Sequence, residues 1–220
     1  MVNRLAIFDC DGTLVDSQAS ICLAMEQCFE GQKLALPSRE AIRRIVGLSL
    51  VEAIARLHPH AEADLHETMA EAYKQAYFAL RSAGQIEDEP LYDGILDAIE
   101  TLDARGWLLG VATGKSDRGL IRVLEHHGLR HRFVTLQTAD RHPSKPHPSM
   151  VETAMAEAGA APATTVVIGD TSFDMAMARA AGAHAVGVAW GYHTRHELLG
   201  AGARHVLEHA RELPAHLEDL

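Results

Sequence analysis

The chain has 220 residues, 47% of them hydrophobic and 23% charged, and carries a formal net charge of −10 at pH 7. That is enough to bury a substantial core in one domain, or in a domain with an insertion, and too apolar for a disordered chain. The acidic balance argues against a nucleic-acid or membrane-surface binder, since those need basic patches. A small anionic substrate stays open, because a local metal and one lysine reverse the field inside a pocket. Three cysteines, Cys10, Cys22 and Cys28, form an odd set without metal-ligand spacing, which predicts reduced thiols in a cytoplasmic protein. No charged-then-apolar leader precedes the first apolar run, and no run has the length of a membrane span.

The first element, Arg4-Leu5-Ala6-Ile7-Phe8, is a short apolar run that suits a strand buried on both faces of a parallel sheet. It leads into Asp9-Cys10-Asp11-Gly12-Thr13-Leu14. Residues two apart on a strand point the same way, so Asp9 and Asp11 are expected on one side of its carboxyl end. Gly12 lets the backbone turn sharply and approach a ligand. Two carboxylates facing one space call for a cation, a shared proton, or both. A strand ending in a plain Asp-Gly turn is the bland alternative.

From Asp16-Ser17, a plausible helix N-cap, to Ser82 only helical signals occur. The first helix runs through Ile21, Met25, Cys28 and Phe29. The second opens at Pro37-Ser38 and stops at Gly47. The third carries Leu50, Ile54 and Leu57, and the fourth repeats apolar residues from Leu65 to Leu80. Beyond Pro90 helix and strand alternate. Strands are predicted at Trp107–Ala112, Phe133–Leu136, Thr164–Ile168, His184–Val188 and Arg204–Val206. The helices between them run over Asp93–Ala104, Asp117–His127, Pro148–Ala158 and through Met175 and Ala178. This alternation predicts an α/β protein with a doubly wound parallel sheet. The expected division is residues 1–15 and 83–220 for the core and 16–82 for an inserted helical cap.

Ligands of such sheets bind beyond the carboxyl ends of the strands, so the residues there carry the information. Thr113-Gly114-Lys115-Ser116 offers a hydroxyl and glycine amides just before a helix, which suits a phosphate oxygen. In Ser144-Lys145-Pro146-His147-Pro148, two prolines stiffen the loop that aims Lys145. Gly169-Asp170-Thr171-Ser172-Phe173-Asp174 places Asp170 at a strand end and Asp174 one helical turn later. Each has an ordinary explanation alone: a Thr-Gly turn, a surface lysine, an N-cap aspartate, a helix-surface acid. All four at strand ends, in complementary chemical types, make a constellation.

Taken in order, these four segments resemble the motifs of the haloacid dehalogenase-like superfamily, and the helical insertion resembles its helical cap. An acid at Asp11 is similar to the phosphatase and phosphomutase branch, since dehalogenases lack it. Ala112-Thr113-Gly114-Lys115-Ser116 and Leu136-Gln137-Thr138-Ala139-Asp140, with the Lys145 loop, look most like bacterial phosphoglycolate phosphatase-type members. The resemblance implies a Mg2+-dependent phosphomonoester hydrolase acting on a small phosphorylated metabolite. In it Asp9 attacks phosphorus, and Asp11 gives and takes the proton. Mg2+ is held by Asp9, the Asp11 carbonyl and Asp170, with Asp174 supporting from behind. Thr113, the Gly114 amide and Lys145 hold phosphate oxygens, and Gly12 permits the close backbone approach.

Substrate contacts from the cap are expected at the turn Gly47-Leu48-Ser49, where Ser49 as a plain N-cap is an equal alternative. Leu50 stands where some sugar-phosphate mutase relatives carry a basic residue, which favours hydrolysis of a small acid phosphate such as phosphoglycolate. Two other readings remain: a phosphomutase of the β-phosphoglucomutase type, and a binding or regulatory protein without turnover. The chain is expected as a monomer or homodimer. Among fourteen histidines, His193 and His196 have a metal-like spacing but no third ligand nearby, and Cys10 is expected to pack into the core.

Overall fold

The strand β1 (Asn3–Phe8) lies inside the sheet because its Leu5–Phe8 run is apolar on both faces. Ala6 and Phe8 enter one hydrophobic cluster and Leu5 and Ile7 the other, all four fully buried. This computed structural model describes residues 2–86 and 89–218. After β1 the chain leaves the sheet for four helices, α1 (Gln18–Gly31), α2 (Arg39–Arg43), α3 (Leu50–Leu57) and α4 (Ala63–Ser82). They enclose a core of their own around Met25, Phe29, Ile42, Ile54 and Met69. The two crossings between this unit and the sheet run side by side. Asp16 N–H donates to the Pro90 carbonyl at 2.9 Å, Tyr92 N–H to that of Leu14 at 3.1 Å, and Val15 bridges Leu91.

The rest of the chain completes the sheet with β2 (Leu108–Thr113), β3 (Thr135–Thr138), β4 (Ala160–Gly169), β5 (His184–Val188) and β6 (His205–Leu207). All six pair in parallel in the order β3-β2-β1-β4-β5-β6. Helices α5 (Ile95–Ala104), α6 (Asp117–His126) and α10 (Leu213–Glu218) cover the Phe8 face. The Ile7 face is covered by α7 (Ser149–Ala158), α8 (Ser172–Ala180) and α9 (Arg195–Ala201). The order reverses between β1 and β4, which opens a crevice at their carboxyl ends.

Local expectations change at several points; β4 begins at Ala160, four residues earlier than read, and α2 ends at Arg43, short of Gly47. β3 begins at Thr135, two residues later than read, because Phe133 turns inward to meet Phe8 edge-on at 6.4 Å between ring centres. Ser17 occupies the N-cap position of α1 without capping it; its hydroxyl goes to Asp11 instead. Helices α9 and α10 were not anticipated, although Thr194 and Glu197 form a full capping box at the start of α9.

Candidate active site

Three strand ends and one loop supply the candidate side chains. Asp9 follows β1, Thr113 ends β2, Asp170 follows β4, and Lys145 comes from the loop before α7. All four are at most 1% exposed. Lys145 Nζ lies 2.9 Å from Asp9 Oδ1 and 2.7 Å from Asp174 Oδ1. Burial works against its positive charge, but Asp174 and Asp9 outweigh this and hold the ammonium above its usual range. The Cys10 N–H also donates to Asp9 Oδ1, at 2.6 Å.

Asp174 is no helix-surface acid. Its Oδ2 accepts from the Thr171 N–H at 3.0 Å and the Thr171 hydroxyl at 2.7 Å, closing a capping box on α8. That makes Thr171, not Asp170, the N-cap. Asp170 instead accepts from the Thr13 hydroxyl at 2.7 Å and the Tyr192 N–H at 2.9 Å. Gly12, at φ +83°, has Tyr192 and the Asp170 carboxylate packed where a side chain would stand. Thr113 Oγ1 accepts from the Lys115 N–H at 3.2 Å.

Carboxylate oxygens of Asp9, Asp170 and Asp174 all lie within 4.8 Å of one another. Asp9 and Asp174 share the Lys145 ammonium, and Asp9 Oδ2 is buried with no hydrogen-bond partner. Burial pushes the Asp9 carboxyl up to about 7, with Lys145 pulling down and Asp174 pushing up. Asp170 is raised for the same leading reason, then by Asp9 and Asp174. An all-oxygen cluster with excess negative charge and an orphaned carboxylate oxygen fits a hard divalent cation such as Mg2+.

Asp11 takes a different set of partners. Lys115 Nζ lies 2.8 Å from its Oδ1, and the Ser17 hydroxyl donates to the same oxygen. Its Oδ1 is thus held by two partners outside the three-acid cluster. Glu89 and Tyr192 were not singled out from the sequence, Ser17 was read only as a helix cap, and Thr13 and Lys115 were read only as members of their segments. For Lys115 a signal existed, since it stands two residues beyond the end of β2.

The cap turn reaches this place. A Cβ on Gly47 would sit 3.3 Å from Thr171 Oγ1 and 3.8 Å from Asp9 Oδ2. Ser49 presents its N–H to Ser144 Oγ at 2.8 Å, and its hydroxyl makes no cap bond to α3. His193 holds the Ser172 N–H at Nδ1 (3.1 Å) and reaches the Arg44 carbonyl from Nε2 (3.4 Å), so both ring nitrogens already face main-chain partners rather than a metal. Cys10 is fully buried in the Phe8-side core. No helix among the described residues is long and apolar enough to cross a membrane.

Comparison with known proteins agrees with this geometry. The chain is 37% identical to the probable phosphatase IndB of Dickeya dadantii strain 3937, over 90% of this chain and 86% of that one. It is 28% identical to a phosphoglycolate phosphatase of Pasteurella multocida strain Pm70, over 86% of this chain and 87% of that one. The crystal structure of a predicted phosphatase from Clostridium acetobutylicum superposes with a TM-score of 0.87 at 24% identity, covering both chains completely. The family model described as haloacid dehalogenase-like hydrolase matches residues 6–188, from β1 to the end of β5. The chain belongs to the haloacid dehalogenase-like hydrolase family.

Proposed function

We propose that this hydrolase is a Mg2+-dependent phosphomonoester phosphatase that works through an aspartyl-phosphate on Asp9. The observation that carries the reading is the shared ammonium: Lys145 ties Asp9 to Asp174 while the other Asp9 oxygen is left without a partner. Asp9 and Asp170, with the Asp11 carbonyl, would hold Mg2+. Bound there, the cation offsets the clustered carboxylates and polarises the phosphoryl group. Asp174, with both oxygens in use, fixes Lys145 and the start of α8.

The Asp9 carboxylate forms a bond to phosphorus as the bond to the leaving oxygen breaks with its electron pair. Asp11 gives that oxygen a proton. A water then bonds to phosphorus and returns a proton to Asp11, freeing Asp9 and inorganic phosphate. Lys145, the Thr113 hydroxyl and the Gly114 amide receive the phosphoryl oxygens.

The closed cap turn favours a small leaving group. A Cβ on Gly114 would press on the Leu48 carbonyl and lie 2.8 Å from that of Gly47, so the cap backbone rests directly on the strand end. This supports a two- or three-carbon phosphate such as phosphoglycolate, the substrate named for the Pasteurella relative. Hydrolysis of 4-nitrophenyl phosphate with Mg2+ and with excess chelator tests the chemistry. A kcat/KM panel of phosphoglycolate, pyrophosphate and hexose phosphates tests the size. Small acid phosphates are expected to lead hexose phosphates by at least about tenfold, about 1.4 kcal/mol. Full activity in chelator would remove the metal reading, and a hexose preference would remove the small-substrate one.

The same contact yields a second expectation. Gly114→Ala forces the cap turn to shift while leaving the core intact. Its kcat/KM should fall about a hundredfold, the cost of an ångström-scale misplacement, and its melting temperature should fall too, because the clash is with main chain. Wild-type kinetics in this variant would show that the turn does not seat on Gly114 during turnover.

A further inference from the structure

Lys115 is buried among groups that the reaction as described leaves without a task. Its side chain is 11% exposed, and Nζ lies 2.8 Å from Asp11 Oδ1 and 3.2 Å from Glu89 Oε2. Glu89, 5% exposed, stands at the return crossing from the cap. Its Oε1 accepts from the Tyr77 hydroxyl of α4. That hydroxyl is reached by Arg122 Nη2 at 3.4 Å. The Ser17 hydroxyl and Lys115 thus converge on one Asp11 oxygen, and no described residue makes a hydrogen bond to the other.

Two tasks suit a lysine there. It can receive an anionic part of the substrate, or it can orient Asp11. Glu89 on its far side and Asp11 on its near side hold this ammonium against the proton-carrying acid, the arrangement of an orienting group. Its contact on Oδ1 alone distinguishes the two oxygens of Asp11. We propose that Lys115, anchored by Glu89, is a positioning residue that holds Asp11 by Oδ1 and leaves Oδ2 to carry the proton. In the first step the leaving oxygen keeps the electron pair of its broken bond to phosphorus and takes the proton from Oδ2. In the second, the attacking water gives its proton back to Oδ2. The inference rests on the reading of Asp11 as proton donor.

A positioning role has a signature that a receptor or a merely structural lysine lacks. A nitrophenolate leaves without a proton, whereas an alkoxide needs one. The test measures kcat/KM, which reports the steps through formation of the aspartyl-phosphate, for three substrates: 4-nitrophenyl phosphate, ethyl phosphate and phosphoglycolate. In Lys115→Met, ethyl phosphate and phosphoglycolate should lose at least about a hundredfold and 4-nitrophenyl phosphate less than about tenfold. The KM of phosphoglycolate should move no more than that of ethyl phosphate. Lys115→Arg should recover part of the loss, and Glu89→Gln should show the same pattern at smaller size. The double variant Lys115→Met/Glu89→Gln removes opposite charges together. It should melt like the wild type and keep the leaving-group pattern, which separates positioning from misfolding.

A KM rise confined to phosphoglycolate would make Lys115 an anion receptor and overturn the proposal. Equal losses on all three substrates in the double variant would reduce it to structural support and also overturn it. Wild-type protein inactive on all three would remove the phosphatase reading itself. Active wild type with a flat variant pattern removes this inference alone.

Discussion

Asp9→Asn should lose hydrolysis by at least about 10⁴-fold, about 5.4 kcal/mol on the barrier, and still fold. Asparagine keeps the shape of a side chain that is 1% exposed but cannot form the bond to phosphorus. Stability should move the other way. Burial, opposed by Lys145 and aided by Asp174, lifts the folded carboxyl from its ordinary 3.8 to about 7. Between those values the folded chain holds a proton that the unfolded chain has released, so stability falls as pH rises through that window. In chelator, wild-type melting temperature should therefore decline from pH 5 to pH 8, and the asparagine variant should decline less. Activity retained within about tenfold would sink covalent catalysis by Asp9. A variant that declines as steeply as the wild type would show that Asp9 is not the group that titrates.

Lys145→Met should be the most damaging single change to the fold at this site. It leaves Asp9 and Asp174 buried at 1% and 0% exposure without their shared ammonium. Breaking a buried pair by removing one partner costs about 3–5 kcal/mol. Urea melts at pH 8 should show a loss of that size, with a smaller one at pH 5, where a protonated Asp9 no longer repels its neighbour. Lys145→Met/Asp174→Asn should regain most of the stability and none of the turnover. A small loss that is equal at both pH values would mean that Asp9 and Asp174 are not held in check by this lysine.

Much of this was readable from residue type and spacing. Asp9, Asp170 and Asp174 stand out because they follow strands whose apolar runs are unmistakable, Lys145 because prolines flank it in its loop, and the parallel order brings those ends together. What failed was reading side-chain direction. Ser17 has the composition of a helix cap, yet a neighbouring carboxylate competes for its hydroxyl and wins. Asp170 also looks like a cap, but Thr171 next to it takes that place by pairing with Asp174. Glu89 and Lys115 are 26 residues apart and meet only because the cap crossing folds back beside β2. No local pattern announces such a pair. The shift of β3 has the same origin: Phe133 is apolar enough for a strand, and only Phe8 across the core decides that it packs before the strand begins.

The position of β1 also dictates the order in which the chain can assemble. It is made before either of its partners, with Leu5 pairing Leu108 on one side and Thr165 on the other. During synthesis its Leu5–Phe8 run must wait, two-edged and apolar, a configuration open to wrong pairing. The helical unit that follows has its own core and brings Val15 back beside Leu91. Once it folds, the long intervening segment is closed, and β2 emerges next to the strand it must join. Weakening the Met25–Met69 core of the helical unit should therefore leave newborn chains prone to aggregate even where the finished sheet is sound.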